Sequence, residues 1–412
     1  MRIALVSHSG NPPAALISPG ERAEGDFPAA AARVTSLAHS LARLGHRVTI
    51  YALRDSGGLP SSAILCPGVN LEYVAADPPG PLPADQPAAH VPEFGSYLAQ
   101  RWRRSRPDIA HAHFWTGGLA ALAGARDLDV PVAQTFSSLG AAERRHGTAE
   151  RCPSDARIRL EAGIARSADV LLASSTEEQA DLARLGVPRA KVRMVPCGVD
   201  TRQFSPEGPA AKRSGRHRLL AAQPLTAGRG LRIAMRALAE IPDTELVITG
   251  GPDKGRLARH KAYLDLLQTA RELRVDDRLV FTGHIAPGDL PALLRSADLV
   301  MSTSYDPVGL TAIQAMACGT PVIASAAGAE RDAVVDMTTG LLTQSAQPAE
   351  LARQARRLLA NPMLLEAYGI AAADRARARY PWERIARETA AAYASCTRQR
   401  AAAAAAQDAA PA

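Results

Sequence analysis

The chain has 412 residues, 47% of them hydrophobic, more than one ordinary core holds and enough for two domains of roughly two hundred residues each. Its net charge of +7 rests on arginine, since the lysines are Lys191, Lys212, Lys254 and Lys261; with aromatic residues at 4% and no basic stripe interleaved with them, nucleic-acid binding is a poor reading. No apolar run approaches the roughly 20 residues of a membrane span, and the five cysteines form no Cys-x-x-Cys pair, so a cytoplasmic protein with reduced thiols is expected, without zinc site or disulfide framework. A basic surface suits anionic nucleotides and would serve loose attachment to an acidic membrane surface; scattered solvated arginines account for it better than a dedicated patch.

Short apolar strands alternate with Ala/Leu-rich helical stretches along the chain, the pattern of parallel sheets with right-handed crossovers. Strands are predicted near Ile3 to Ser7, Arg47 to Leu53, Leu71 to Ala75, Asp108 to His111, Val132 to Phe136, Val170 to Ser174 and Val192 to Val195. Helices fall at Ala30 to Leu44 and Gly117 to Arg126. Asp127-Leu128-Asp129 has the spacing of a metal-binding acid pair but sits at a helix-to-strand turn, where a structural role is the better reading. A second strand series runs through Arg218, Leu246 to Thr249, Leu279 to Thr282, Leu299 to Ser302 and Val322 to Ala324. Between the two series the stretch from Gly198 to Pro209 lacks a period and is rich in Gly and Pro. The expected organisation is a first domain over 1–200, a linker over 201–216, a second domain over 217–380, a helix over 381–398 and a disordered Ala-rich tail over 399–412.

The run from Tyr305 to Ser325 reads as loop, apolar helix, Gly-Thr-Pro turn and buried strand. Gly309 can open that helix, so the free N–H groups of Gly309, Leu310 and Thr311 would face outward at the positive pole, where a diphosphate is favourably held. Asp306 is placed on the loop facing that pole, and Gln314 about one turn inside the helix. Leu219 to Gly230 is a second strand-loop-helix unit, whose glycines, Gly230 among them, allow close phosphate approach. His113 follows a strand; its imidazole either donates to a ligand hydroxyl or merely caps a strand end.

Taken in order, Gly45 to Thr49, Pro107 to His113, Val195 to Asp200, Phe281 to Gly283 and the Tyr305 run resemble the retaining glycosyltransferases of family 4 over nearly the whole chain. The resemblance implies an α/β GT-B fold, two doubly wound Rossmann-like domains facing each other across a cleft, with the helix from Trp382 crossing back to the first. It implies transfer of a hexose from a nucleoside diphosphate sugar to an unidentified acceptor hydroxyl, with no cofactor. By the same resemblance Arg229 and Gly230 lie on the diphosphate, Asp306 and His113 on the sugar, and Gln314 on the nucleotide ribose. Asp306 stands where the family has glutamate and Arg229 where it has lysine, and the departures cluster at Pro28 in place of a glycine, Ser137 in place of histidine, Pro224 in place of arginine, and Gln314 in place of glutamate. They motivate an alternative, a degenerate relative that keeps the fold as a binding or partner subunit. The arginines Arg144, Arg145 and Arg151 would suit an anionic acceptor, or plain solvation.

Overall fold

The computed structural model describes residues 1–7, 28–54, 60–75, 88–147, 152–223, 225, 229–344 and 347–408; the side chains at 28–30, 229, 403–404 and 406–408 fall outside that description. The chain divides into two compact units, one of Met1–Glu143, Pro153–Pro196 and Trp382–Ala412, the other of Arg144–Cys152 and Cys197–Pro381.

Unit 1 runs β1 (Arg2–Ser7), α1 (Pro28–Arg43), β2 (Arg47–Arg54), β3 (Ser62–Cys66), β4 (Val69–Ala75), α2 (Val91–Arg104), β5 (Ile109–His113), α3 (Phe114–Ala125) and β6 (Val132–Thr135). It continues through α4 (Gly140–His146), whose last residues group with unit 2, then α5 (Asp155–Ser167), β7 (Val170–Ala173), α6 (Thr176–Arg184) and β8 (Val192–Met194). The sheet order is β3-β4-β2-β1-β5-β6-β7-β8, parallel except for the antiparallel β3. Both faces are covered, which is why β1 reads as an unbroken apolar run with five consecutive buried residues. One face packs Leu5, Ile50 and Leu71 with Leu37 and Leu41 of α1; the other packs Val6 and Ala112 with Phe94, Leu98 and Trp102 of α2.

Unit 2 runs β9 (His217–Ala222), α7 (Arg229–Ala239), β10 (Thr244–Thr249), α8 (Lys261–Leu273), β11 (Leu279–Gly283), α9 (Leu290–Arg295), β12 (Leu299–Ser302), α10 (Leu310–Ala317), β13 (Val322–Ser325), α11 (Glu330–Ala333), β14 (Gly340–Thr343), α12 (Pro348–Leu359) and α13 (Pro362–Arg379). Its parallel sheet is ordered β11-β10-β9-β12-β13-β14. Leu219, Leu246, Ile248 and Met301 of the sheet pack with Leu231 and Leu238 of α7 and Leu351 and Leu358 of α12. In each sheet the strand order reverses once beside the first strand of the unit, between β1 and β5 and between β9 and β12. In such sheets, ligands bind at the carboxyl ends of the strands flanking that reversal.

Three expectations change. Residues 201–216, read as a linker, belong to unit 2: Arg295 donates to the carbonyls of Pro209 (2.9 Å) and Ser205 (3.1 Å), and Arg213 pairs with Asp298. The tail expected to be disordered from 399 is instead helical through Asp408 as the end of α14 (Trp382–Asp408), as alanine's helix propensity favours. The sequence reading also passes over β3, a half-exposed edge strand, and β14, four residues behind a turn.

Candidate functional site

At the reversal in unit 2, β9 and β12 lie side by side, and each leads into a helix whose N-terminus stands at the same end of the sheet. The two connections are tied together. Thr303 Oγ1 donates to the Gly230 carbonyl (2.8 Å), and Thr311 Oγ1 donates to the Ala222 carbonyl (3.0 Å). A Cβ at Gly230 would fall 2.1 Å from Ser304 Oγ, so only glycine permits the start of α7 to approach the β12 loop this closely. The structure thus brings together Gly230, Asp306, Gly309, Leu310, Thr311 and Gln314. Arg229 lies at the first position of α7 with its side chain outside the described residues, as Pro224 is entirely.

Gly309 caps α10 in the left-handed region (φ +66°), and a Cβ there would also stand 3.2 Å from Ala329. Its N–H does not face outward as expected. Asp306 Oδ1 accepts from both the Val308 and Gly309 amides (2.9 Å each), because a short carboxylate two and three residues upstream closes an Asx turn. The outward donors of this helix end are therefore the amides of Leu310 and Thr311, which have no acceptor within the helix. Gln314 is half-buried. Two polar side chains that the sequence did not single out stand at this end of the sheet. Gln223 follows β9, and neither its amide nitrogen nor its oxygen has a partner; Glu330 opens α11 with both carboxyl oxygens buried and unpartnered. Burial, then the neighbouring Asp306 charge, hold the Glu330 carboxyl well above the usual carboxylate range.

At the reversal in unit 1, His113 ends β5 opposite Ser7 of β1. Its ring lies 4.1 Å from that of His111, and its Nε2 is enclosed without a partner. Burial, reinforced by Arg33, pushes the His113 imidazole down to about 3, so it is neutral at physiological pH. His111 is the structural member of the pair: Nε2 meets Thr135 Oγ1 (2.9 Å) and Nδ1 meets the Tyr393 hydroxyl of α14 (2.6 Å). Both strands at this edge end in a strained backbone, Phe114 after β5 (φ +64°) and Ser137 after β6 (φ +61°). Phe114 is held under Arg157, whose guanidinium sits 5.2 Å from the ring and is itself pinned by Glu143 and Glu161. The Asp127-Leu128-Asp129 pair is structural, with Asp129 bound to Arg106 and Arg400. Pro28 opens α1, where a missing N–H costs nothing.

Residues 30–203 match the family described as Glycosyltransferase Family 4, and residues 211–375 match Glycosyl transferases group 1. A D-inositol 3-phosphate glycosyltransferase of Kribbella flavida is 32% identical, covering 97% of this chain and 97% of its own. The chain belongs to glycosyltransferase family 4. A second relative with the same name, from Streptomyces bingchenggensis, is 31% identical over 96% of this glycosyltransferase and 90% of its own length. The sucrose-phosphate synthase of Thermosynechococcus elongatus superimposes with a TM-score of 0.85 at 26% identity, covering 98% of this chain and 100% of its own. Anabaena HepE, solved with UDP and glucose, shares the fold with a TM-score of 0.72 at 19% identity, covering 96% and 100%. The glycosyltransferase therefore has the GT-B fold. Among its described residues, no helix is long and apolar enough to cross a membrane.

Proposed function

We propose that this glycosyltransferase moves a hexose, with retention of anomeric configuration, from a nucleoside diphosphate sugar to a hydroxyl of a phosphorylated polyol. The observation that carries the donor half is the meeting of two helix N-termini at the β9/β12 reversal, with the Leu310 and Thr311 amides lacking an acceptor within the helix. Such a pair of positive poles favours a diphosphate and most of all the charge that builds on it as the sugar leaves. In this reading Arg229 adds a guanidinium to the same group. Asp306 uses Oδ1 to hold its own loop and turns Oδ2 to a sugar hydroxyl. Gln314 accepts from the ribose, and His113 offers a neutral imidazole to the sugar. The acceptor half is supported by the names of the relatives, which concern an inositol phosphate and a sucrose phosphate.

The test is release of nucleoside diphosphate from uridine, guanosine and adenosine diphosphate hexoses, with D-inositol 3-phosphate and unphosphorylated inositol as acceptors, and product configuration read by NMR. Release with one donor, stimulated by the phosphorylated acceptor and lost in Arg229→Ala, is expected. Stimulation by both acceptors alike would refute the phosphate requirement, and an inverted product would refute retention.

A further inference from the structure

Glu330 is fully enclosed, at 0% exposure, and neither carboxyl oxygen has a hydrogen-bond partner. An acid left so is costly even when neutral and more so when charged, and an apolar residue would fill the space without that cost. Its surroundings point to the donor loop. The Ala329 amide donates to the Asp306 carbonyl (3.1 Å), and a Cβ at Gly328 would fall 2.3 Å from that same oxygen. A Cβ at Gly309 would in turn stand 3.2 Å from Ala329. The segment 328–330 is therefore clasped against 306–309, and the enclosed Glu330 carboxyl lies within reach of the Asp306 charge.

We propose that Glu330 is a positioning residue of the donor site, a buried acid whose ionisation decides whether the Asp306 loop keeps the geometry in which it meets the donor. This rests on the donor site proposed above. The groups that act on Glu330 are few. Asp306 opposes its ionisation, and the Ser302 hydroxyl at the end of β12 favours it without reaching either oxygen in hydrogen-bond geometry. The neighbouring α10 and β13 carry no titratable side chain. Within α11, Arg331 is exposed and Asp332 half-buried, while Arg375 of α13 donates to the carbonyls of Ala333 and Asp332 at the far end of the turn. Among the described residues, a charge on Glu330 would thus face Asp306 with no cation acting on it. As a neutral acid it leaves Asp306 as the sole negative charge of the loop; ionised, it sets like charges across the clasp and loosens it.

The sign follows from the raised ionisation range. The folded state keeps a proton that the unfolded chain releases above about 4.5, so the Glu330 contribution to stability falls as pH rises from that value toward the folded one. Glu330→Gln, the uncharged near-isostere of the neutral acid, escapes this loss. Unfolding temperatures of wild type and Glu330→Gln are therefore expected to diverge, the variant gaining as pH rises from about 5 to about 7. Parallel curves would overturn the proposal. If Glu330→Gln does not fold, a carbon-13 carboxyl titration of glutamate-labelled wild type reads the same ionisation, and an ordinary midpoint would overturn it equally.

The second arm titrates uridine, guanosine and adenosine diphosphates into both proteins. The affinity of wild type relative to Glu330→Gln is expected to fall several-fold as pH rises through the Glu330 ionisation, a ratio in which the titration of the nucleotide's own phosphate cancels. Equal pH dependence in the two proteins would overturn the positioning role. Absence of nucleotide binding by wild type at every pH would overturn that role together with the donor-site reading. The unfolding curves distinguish the two failures, since they read the acid without any ligand.

Discussion

Asp306 does two things with two oxygens. Oδ1 closes the turn onto the amides of Val308 and Gly309, and in the proposed donor site Oδ2 meets a sugar hydroxyl. Asparagine keeps the first role and loses the charge of the second, whereas alanine loses both. Asp306→Asn is accordingly expected to unfold within about 0.5 kcal/mol of wild type while kcat/KM falls about tenfold, the difference between a charged and a neutral hydrogen bond. Asp306→Ala should lose about 1 kcal/mol of stability in addition, as for a removed cap. Urea unfolding beside donor turnover separates the two, and equal stability of the two variants would refute the turn-closing role. Much of this loop is legible in sequence, because a loop acid, a glycine and an apolar helix in that order dictate a helix N-terminus. The direction of the Gly309 amide is not, since it depends on how the Asp306 side chain turns. Glu330 is still less legible: between Ala329 and Arg331 it reads as a surface glutamate, and only the packing of one loop on another buries it.

Among elements, α14 shows how far local composition decides and where it stops. The alanine run from Ala401 is a strong helix former and simply prolongs the helix, but what ties α14 to unit 1 lies earlier. Ile385, Ala386, Tyr393 and Cys396 are buried, the Tyr393 hydroxyl meets His111, and Arg400 bonds to Asp169 (3.0 Å) and Asp129 (2.6 Å). A chain ending at Arg400 is therefore expected to unfold within about 0.5 kcal/mol of the full chain. A chain ending at Pro381 uncovers one face of the unit 1 sheet and should fail to fold that unit, since deleting even one such large buried side chain costs about 3–5 kcal/mol. Hydrogen exchange of β1 and β5 in the two truncations checks this; protection surviving the longer deletion would show that α14 is dispensable. The same contrast explains β3 and β14. Buried parallel strands announce themselves as apolar runs; β3, an antiparallel edge strand of alternating exposure, does not, and in β14 at the other sheet's edge the apolar run shrinks to Leu341 and Leu342 between Gly340 and Thr343.

At the scale of the whole molecule, the two units have separate cores and separate reporters. The three tryptophans, Trp102, Trp115 and Trp382, all belong to unit 1, whereas helices and strands are spread over both. Tryptophan fluorescence thus follows unit 1 alone, and far-ultraviolet circular dichroism follows the two together. The proposed nucleotide contacts, Leu310, Thr311, Arg229 and Gln314, all lie in unit 2. A ligand that binds only folded unit 2 stabilises it by about 2.7 kcal/mol at a hundred times its dissociation constant. Thermal unfolding with saturating nucleoside diphosphate is therefore expected to shift part of the dichroism transition upward while the fluorescence transition moves less. A fluorescence transition that moves up together with only the unit 1 part of the dichroism, the remainder staying in place, would put the nucleotide on unit 1, against the assignment to the β9/β12 reversal. Equal shifts in both would mean that unit 1 unfolds only when unit 2 does, so that energy delivered by the nucleotide at one reversal point is shared by the histidine-bearing edge of the other sheet.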